Sequence, residues 1–161
     1  MNSLDQVVVF SIDEQRYALP LSVVERIVRI VEITSLPKAP DIVLGVVNVQ
    51  GRIIPVVNLR RRFGKPSREI NLSDQLVIAR TSKRIIAFVS DSVSGVAGIP
   101  EKEVVTAEEI LPGLEYIKGI VKRDDGMIHP LDIDTILSFE EAKSGLRVSS
   151  GREVLLLLHC R

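Results

Sequence analysis

Few side chains in this sequence could carry out chemistry, and they do not cluster at the spacing of a metal site. The two histidines, His129 and His159, lie far apart, and Cys160 is the single cysteine. A structural or catalytic metal site needs several Cys or His ligands at short, regular spacing. His129 falls in a predicted strand, where a lone histidine is more often structural than a ligand or a base. The sequence therefore predicts no metal site.

The acidic residues and serines offer no better candidates for catalysis. Asp124 and Asp125 could form a carboxylate pair, but Gly126 follows them, and a hairpin turn explains all three residues. Asp132 and Asp134 lie between a predicted strand and a predicted helix, where capping is the ordinary role of aspartate. The segment Ser-Asp-Ser at 90–92 is polar but has no histidine near it in the sequence. We therefore predict no catalytic residue.

Motifs for nucleotides and for serine nucleophiles are also missing from the sequence. Neither G-x-G-x-x-G nor G-x-x-x-x-G-K-[ST] occurs, so no phosphate-binding loop is predicted. No G-x-S-x-G elbow occurs either. Enzymes usually assemble their reactive groups in a pocket carried by a scaffold. The lack of candidates indicates a protein that works by contact and needs no cofactor.

Composition points to one small β-rich unit with ordinary surface charge. The 161 residues suit a single domain or two small lobes, and the 45% hydrophobic content includes few aromatic residues, so the core must be built from Val, Ile and Leu. Twenty-one basic residues balance 21 acidic ones, which argues against a nucleic-acid partner. The basic cluster Arg60, Arg61, Arg62, Lys65 and Arg68 is interpreted as a solvated loop.

Cysteine use and hydropathy favour a cytoplasmic location. A single cysteine cannot form an internal disulfide, which suits a reducing compartment. The first ten residues, MNSLDQVVVF, lack the basic region and apolar run of a signal peptide. No apolar stretch reaches the roughly 18 residues of a membrane span. We expect no direct insertion into a membrane.

Short apolar runs separated by turn residues dominate the chain and predict four hairpins, over residues 7–19, 45–59, 75–89 and 116–133. Helix is sparse. Ser22 is expected to cap a helical turn carrying Val23, Val24 and Ile27. Thr106 and Glu109 suggest a capping box for a short helix, and residues 134–142 a longer one. The pattern predicts an antiparallel all-β sandwich or small barrels.

Two parts of the sequence repeat one pattern. Gly45-Val46-Val47, followed by Gly51-x-Ile53-x-Pro55, matches Gly119-Ile120-Val121, followed by Gly126-x-Ile128-x-Pro130. A weaker echo precedes each, since Ala18-Leu19-x-x-Ser22 resembles Ala87-Phe88-x-x-Asp91. The shared glycine and proline spacing favours duplication over chance similarity. We therefore predict two related β-lobes.

Several segments also share their order and spacing with a known family. They are Tyr17-Ala18-Leu19-Pro20-Leu21, residues 24–27, Pro40 with Gly45-Val46, Asn48-Val49-Gln50-Gly51 and residues 54–60, and the likeness continues through 85–96 and 116–137. In these residues the chain resembles the chemotaxis coupling protein (CheW) family. The resemblance implies a single domain over residues 5–140, made of two five-stranded SH3-like β-barrel lobes with a few short helices and a C-terminal helix.

The same resemblance implies an adaptor without catalysis. The family couples the cytoplasmic tips of methyl-accepting chemoreceptors to the histidine kinase CheA, whose regulatory domain has the same fold. On this basis the expected partners are CheA, through that regulatory domain, and the receptor tip. The expected location is the cytoplasm, at receptor arrays on the inner face of the membrane.

The resemblance also suggests where partners bind. Val24, Ile27 and Val28 would supply an apolar surface, although one or two of them should fill the core, because helical spacing cannot place all three on one exposed side. Asn48 and Gln50 would add polar contacts beside the Gly51 corner, where glycine permits the necessary φ. The candidate receptor- or kinase-binding residues are Val24, Arg26, Ile27, Val28, Asn48, Val49, Gln50, Gly51, Asn58 and Arg60.

Two of these positions depart from the usual family pattern. Gln50 stands at the third position of a motif that is commonly N-L-R-G, and Arg26 stands where an acidic residue is common. Arginine can bind a carboxylate bidentately and glutamine cannot. Charge across an interface sets partner choice more than raw affinity. We hypothesise a divergent member of the family, tuned to its own receptor or kinase.

Two other interpretations stay open from the sequence. The chain could serve a non-chemotactic pathway, such as twitching motility or second-messenger control. It could instead be a small β-barrel enzyme or ligand-binding protein. A deep polar pocket between the lobes would favour the latter, and a smooth groove lined by Val and Ile would count against it. Residues 143–161 do not follow the family pattern and form an extension of unknown role.

Overall fold

The computed structural model describes residues 6–111 and 117–136, and within them eleven strands form two sheets. The strands are β1 (Gln6–Ile12), β2 (Gln15–Pro20), β3 (Val24–Arg29), β4 (Val43–Val49), β5 (Arg52–Val57), β6 (Gln75–Arg80), β7 (Ile85–Ser90), β8 (Ser92–Gly98), β9 (Val105–Thr106), β10 (Gly119–Arg123) and β11 (Gly126–Pro130). All four predicted hairpins are present, so the predicted all-β fold is confirmed.

Helices within the described residues are short. They are α1 (Leu59–Arg62) and α2 (Ala107–Ile110), with 3-10 turns at Leu21–Val23 and Glu101–Glu103. The predicted capping box is confirmed, because the Glu109 carboxylate accepts a hydrogen bond from the Thr106 N–H at 3.3 Å. Residues 133–136 are also helical. The rest of the helix predicted over 134–142 lies outside the described residues, as do Tyr116 and the extension 143–161.

The two sheets share one plan. The first sheet has the order β8-β1-β2-β11-β10-β9 and the second has the order β3-β6-β7-β5-β4. Each contains two hairpins joined by a parallel pair, β2 with β11 in the first sheet and β7 with β5 in the second. Each also has a single strand at one edge, β8 or β3. The repeat found in the sequence therefore corresponds to a repeated strand arrangement.

The repeats are interleaved rather than consecutive. Strand β3 follows the β1–β2 hairpin along the chain but pairs with β6 in the second sheet. Strand β8 follows the β6–β7 hairpin but pairs with β1 in the first sheet. Each half of the sequence therefore contributes strands to both sheets. Separating the two halves of the sequence would therefore break backbone pairing as well as side-chain packing.

The repeated glycines Gly45 and Gly119 occupy equivalent crowded positions. Thr34 forms a bridge with Val46 beside β4, and β9 pairs with β10 in the other sheet. A Cβ atom on Gly45 would lie 2.2 Å from the Thr34 carbonyl oxygen. A Cβ atom on Gly119 would lie 2.2 Å from the Val105 carbonyl oxygen. Both glycines are present because a neighbouring backbone segment passes too close for any side chain.

The buried apolar side chains form three groups, one of which joins the two sheets. One group draws residues from both sheets, with Phe10 and Leu19 from the first packed beside Val57 and Phe88 from the second. Each sheet also has its own apolar cluster, which includes Val121 in the first sheet and Ile78 in the second. These cores are mostly aliphatic, as the composition predicted.

The helical turn expected around Ser22 is only partly correct. Pro20 precedes a 3-10 turn of three residues, and no side chain caps it. Val24 and Ile27, which the sequence predicts on that turn, belong to strand β3 instead. Their spacing is compatible with a helix, but pairing of β3 with β6 supplies the backbone hydrogen bonds and overrides it.

We predict that Gly45→Ala and Gly119→Ala each lower the free energy of unfolding by more than about 2 kcal/mol, because the added methyl overlaps fixed backbone. The control is Gly51→Ala, at a position with φ +86° where an added Cβ atom would have no other atom within 4 Å. It should cost less, about 1–2 kcal/mol, because backbone strain at this φ is its only penalty. Urea unfolding of the three variants would rank them. A larger loss at Gly51 than at Gly119 would contradict this assignment.

Candidate functional site

Strand β3 places its apolar residues on different sides. Val24 packs against the cluster shared by both sheets, and Val28 packs against the cluster of the second sheet. Ile27 remains 36% exposed. Two of the three residues therefore contribute to packing, as expected, although the reason is strand pairing with a bulge between Val24 and Arg26 rather than helical spacing.

The tip of the β4–β5 hairpin is a tight turn with two residues in the left-handed region. Gln50 has φ 52° and Gly51 has φ 86°, as in a type I′ turn. The Asn48 side-chain oxygen accepts a hydrogen bond from the Gly51 N–H at 2.9 Å. The Val49 side chain is buried. Asn48, Gln50 and Gly51 are exposed, so three of the four candidate binding residues in this hairpin lie at the surface.

An ion pair brings this tip next to strand β3. The Arg52 guanidinium lies 2.7 Å from a Glu25 carboxylate oxygen, and Arg80 lies 3.5 Å from the other oxygen. Arg26 neighbours Glu25 in β3, and Gln50 is two residues before Arg52 in the turn. The two positions that depart from the family pattern therefore belong to one region of the surface.

A shallow apolar groove lies between β3 and β8, each of which lies at one edge of its sheet. Its volume is about 220 Å³. Its apolar lining comprises Val8, Leu21, Val24, Ile27, Val93 and Val96. Glu25 and Arg26 are the charged residues that line it. The lining of this groove is therefore mainly aliphatic.

Asn58 and Arg60 lie apart from this groove and serve the fold. The Asn58 side chain caps α1 by accepting a hydrogen bond from the Arg61 N–H at 3.3 Å. The Arg60 side chain is only 13% exposed and binds two carboxylates, at 2.6 Å from Asp13 and 2.9 Å from Asp91. The interpretation of the basic cluster as a solvated loop is therefore wrong for Arg60.

Asp91 is the centre of an ion-pair network that links the two sheets. Its carboxylate accepts hydrogen bonds from Arg60, from Arg68 at 2.5 Å and from the Asp13 N–H at 2.8 Å. Arg68 also makes a bidentate pair with Asp74, both distances being 2.9 Å, and Asp74 is 2% exposed. Asp91 is the one residue between β7 of the second sheet and β8 of the first. The network fixes the point where the chain crosses.

The environment of Asp91 favours its charged form. Partial burial raises the pKa of this carboxyl, but the hydrogen bonds from the Asp13 N–H, Arg60 and Arg68 together outweigh burial. The net result is a pKa below the ordinary value for aspartate. The hydrogen bond to Asp74 in turn raises the pKa of Arg68. Each charge in the network therefore stabilises the next.

Sequence reasoning missed this network. The segment 90–92 gives no catalytic candidate because no histidine stands near it. The sequence contains one indication of it, the run of arginines that follows a buried strand. Arginines that are not exposed to water need carboxylates to pair with. In the repeat, Asp91 takes the place of Ser22. The network partners lie too far apart in the sequence for spacing alone to join them.

The other polar candidates have structural roles. His129 Nδ1 donates to the Arg16 carbonyl oxygen at 2.9 Å, and its ring packs on Tyr17. Asp125 lies in the predicted hairpin turn and pairs with Arg16 at 2.8 Å, which lowers the pKa of that carboxyl. Asp132 accepts from the Thr135 N–H, as a cap does, whereas Asp134 accepts from the Ser82 N–H at 2.7 Å. The capping role predicted for Asp134 is therefore wrong.

The described residues contain neither a cluster of metal ligands nor a membrane-spanning helix. No group of three or more His, Cys, Asp or Glu side chains there could hold a metal ion. Within 6–111 and 117–136, no helix is long and apolar enough to cross a membrane.

Another cavity, of about 300 Å³, lies beside α1, but Arg60, Arg68 and Asp74 in its lining are hydrogen-bonded within the network.

These features define an all-β domain of two interleaved sheets with an apolar surface groove between their edges. The model of the CheW-like domain family matches residues 6–141. The chain belongs to this family. The chemotaxis protein CheW of Thermotoga maritima is 36% identical over 141 residues, which cover 88% of this chain and 93% of the relative.

Two further comparisons agree with this assignment. The chemotaxis protein CheW of Bacillus subtilis is 24% identical over 147 residues, which cover 88% of this chain and 92% of the relative. The crystal structure of the scaffolding protein TtCheW from Thermoanaerobacter tengcongensis superposes with a TM-score of 0.74 at 29% identity. That match covers 82% of this chain and 91% of the other. The family resemblance noted in the sequence is therefore confirmed.

We predict that Asp91→Asn lowers the free energy of unfolding by about 1–3 kcal/mol at pH 7, because Arg60 and Arg68 lose a shared charged acceptor. The lowered pKa makes the Asp91 contribution complete above the ordinary aspartate pKa of about 3.9. The contribution disappears as the pH falls through the folded-state value. The difference between wild type and variant, measured by urea unfolding across this range, should therefore shrink in acid.

The matched control is Asp125→Asn, which removes one partner from an exposed ion pair. Asp125 is 74% exposed in its side chain and binds Arg16 alone among the described side chains. Its unfolding midpoint should stay near that of the wild type. Equal effects of the two substitutions, or a difference for Asp91→Asn that does not depend on pH, would contradict the role given to the network.

Proposed function

We propose that the protein is a non-catalytic adaptor that couples chemoreceptors to the histidine kinase CheA in chemotaxis signalling. Membership of the CheW-like family supports a scaffolding role in general. The apolar groove between β3 and β8 is the observation that carries the proposal to this chain, because it offers a contact surface without reactive groups. The domain that performs this role spans residues 5–140 and works in the cytoplasm.

The groove suits the receptor partner. A receptor tip is an α-helical hairpin, and helices bind proteins by placing an apolar face in an apolar groove. Leu21, Ile27 and Val96 keep 38%, 36% and 57% of their surface exposed, and all three line the groove. Covering these side chains would remove apolar surface from water, which favours binding.

The hairpin tip adds a second part to the proposed surface. Gln50 and Gly51 lie at the tip and are exposed, and the hydrogen bond to Asn48 holds their geometry. The Glu25–Arg52 ion pair keeps the tip beside β3. A rigid turn loses little conformational entropy on binding, which helps a small interface reach useful affinity. Asn58 and Arg60 act from behind the surface, through α1 and the network.

Coupling would then depend on several modest contacts. We expect each interface to be near or below the roughly 800 Å² per partner of standard complexes. Binding one partner raises the effective concentration of the next, so an array can be stable although each contact is weak. Receptor state would change kinase activity only if the assembled complex binds the two kinase states with different affinity.

We predict that Ile27→Glu weakens binding of a soluble receptor-tip fragment by about tenfold or more, because a charge would enter the apolar groove. Ile27 is partly exposed, so the variant should fold. Met127→Glu is the control, since Met127 is 53% exposed on β11 and does not line the groove. Isothermal titration would compare the dissociation constants.

The same preparations should be tested with the regulatory domain of CheA. A wild-type chain that binds neither the receptor fragment nor the kinase domain would overturn the proposed function. Equal losses from Ile27→Glu and Met127→Glu would show that the groove is not the receptor site.

A further inference from the structure

Arg26 is the charged residue of the groove that lacks an ionic partner among the described residues. Glu25, the other charged lining residue, is bound to Arg52 and Arg80. Within the described part of the chain, no carboxylate lies within ion-pair distance of Arg26. Resting on the proposed function, we infer that the receptor helix proposed to occupy the groove carries an acidic residue facing Arg26.

The size of the groove favours a few side chains over a whole ligand. Its volume of about 220 Å³ is below the roughly 300–1,000 Å³ of small-molecule pockets. One face of a helix presents apolar side chains at i, i+3 and i+4, which is enough to fill such a depression. The surrounding exposed residues, including Val96 at 57%, would contact the flanks of that helix.

Both walls of the groove are poor templates for an added strand. Each wall is an edge strand, and each carries an irregularity in its pairing, between Val24 and Arg26 in β3 and opposite Val9 and Phe10 for β8. Gly95 in β8 also has φ +131°. Bulges and charged side chains on edge strands discourage pairing with another strand. A helix is therefore the occupant that these edges allow.

The charge around the groove has the sign that the inference requires. Arg26 and Arg29 are exposed on β3, and Arg52 and Arg80 lie beside them with Glu25 as their shared acceptor. The chain as a whole has as many acidic as basic residues, so this excess of arginine is local. Such a patch speeds the approach of an acidic partner and repels a basic one. Arginine also allows bidentate binding of one carboxylate.

The test uses the full-length protein and a receptor-tip fragment from the same organism. The protein is prepared as wild type, Arg26→Glu, Arg26→Lys and Arg61→Glu. The last is the charge-matched control, because Arg61 is 55% exposed in its side chain and lies outside the groove. Dissociation constants are measured at low salt and near 1 M salt, where the Debye length is about 3 Å. The receptor fragment is used unchanged and with its acidic residues replaced singly by lysine.

We expect Arg26→Glu to weaken binding by about tenfold or more, Arg26→Lys to weaken it less, and Arg61→Glu to change it by less than about twofold. One acidic-to-lysine substitution in the fragment should restore binding to Arg26→Glu and weaken binding to the wild type. High salt should reduce the difference between wild type and Arg26→Glu.

Unchanged or tighter binding of Arg26→Glu to the unmodified fragment would overturn the inference and leave the proposed function intact. Equal losses from Arg26→Glu and Arg61→Glu would also overturn it, since they would reflect net charge alone. Failure of the wild type to bind any fragment would instead count against the proposed function itself. Circular dichroism of each variant would show that the fold is unchanged.

Discussion

The arrangement of the two sheets depends on the hydrogen bonds that the Asp91 carboxylate accepts from Arg60, Arg68 and the Asp13 N–H. The chain leaves the second sheet at Ser90 and enters the first at Ser92, so a single residue makes the crossing. The backbone there is fixed by its N–H, which donates to the Ser11 carbonyl oxygen at 2.9 Å. The side chain is fixed by Arg60, by Arg68 and by the turn after β1. Strand β8 therefore starts from a defined point relative to both sheets.

This constraint matters because β8 and β3 together form the groove. Each strand follows a hairpin of one sheet but pairs in the other sheet. Both lie at sheet edges, where no neighbouring strand restrains their open side. Compared with apolar packing, a charged network adds little net stability, because desolvation offsets much of the attraction; removing one member is costly because its partners are left unpaired. The network instead fixes the position at which β8 begins. We regard it as the reason that a shallow groove between two edge strands can keep one shape.

The hairpins were predictable from the sequence because their information is local. Asp124, Asp125 and Gly126 specify a tight turn regardless of the rest of the fold, and Gly51 does the same beside Gln50. The interleaving was not predictable in this way. Which hairpin pairs with β3 or β8 depends on long-range burial, and the sequence around Val24 and Ile27 is compatible with a helical turn as well as with a strand.

The candidate partner-binding residues divided along the same line. Ile27, Arg26 and Gln50 lie on the surface as the family resemblance suggested, whereas Val49 is buried and Arg60 is held inside the network. A resemblance identifies positions but not which way each side chain points. Alternation along a strand decides that, and a bulge in β3 changes the alternation. The ion pairs around Asp91 join distant segments, so only the folded chain reveals them.

The proposed function is that this chain joins receptor and kinase by contact. It is tested most directly by measuring autophosphorylation of purified CheA with receptor-containing membranes, in the presence and absence of the protein. We predict that kinase activity rises when the protein is added and that receptor ligand then changes this activity. Kinase activity that stays the same at saturating concentrations of the protein would contradict the account.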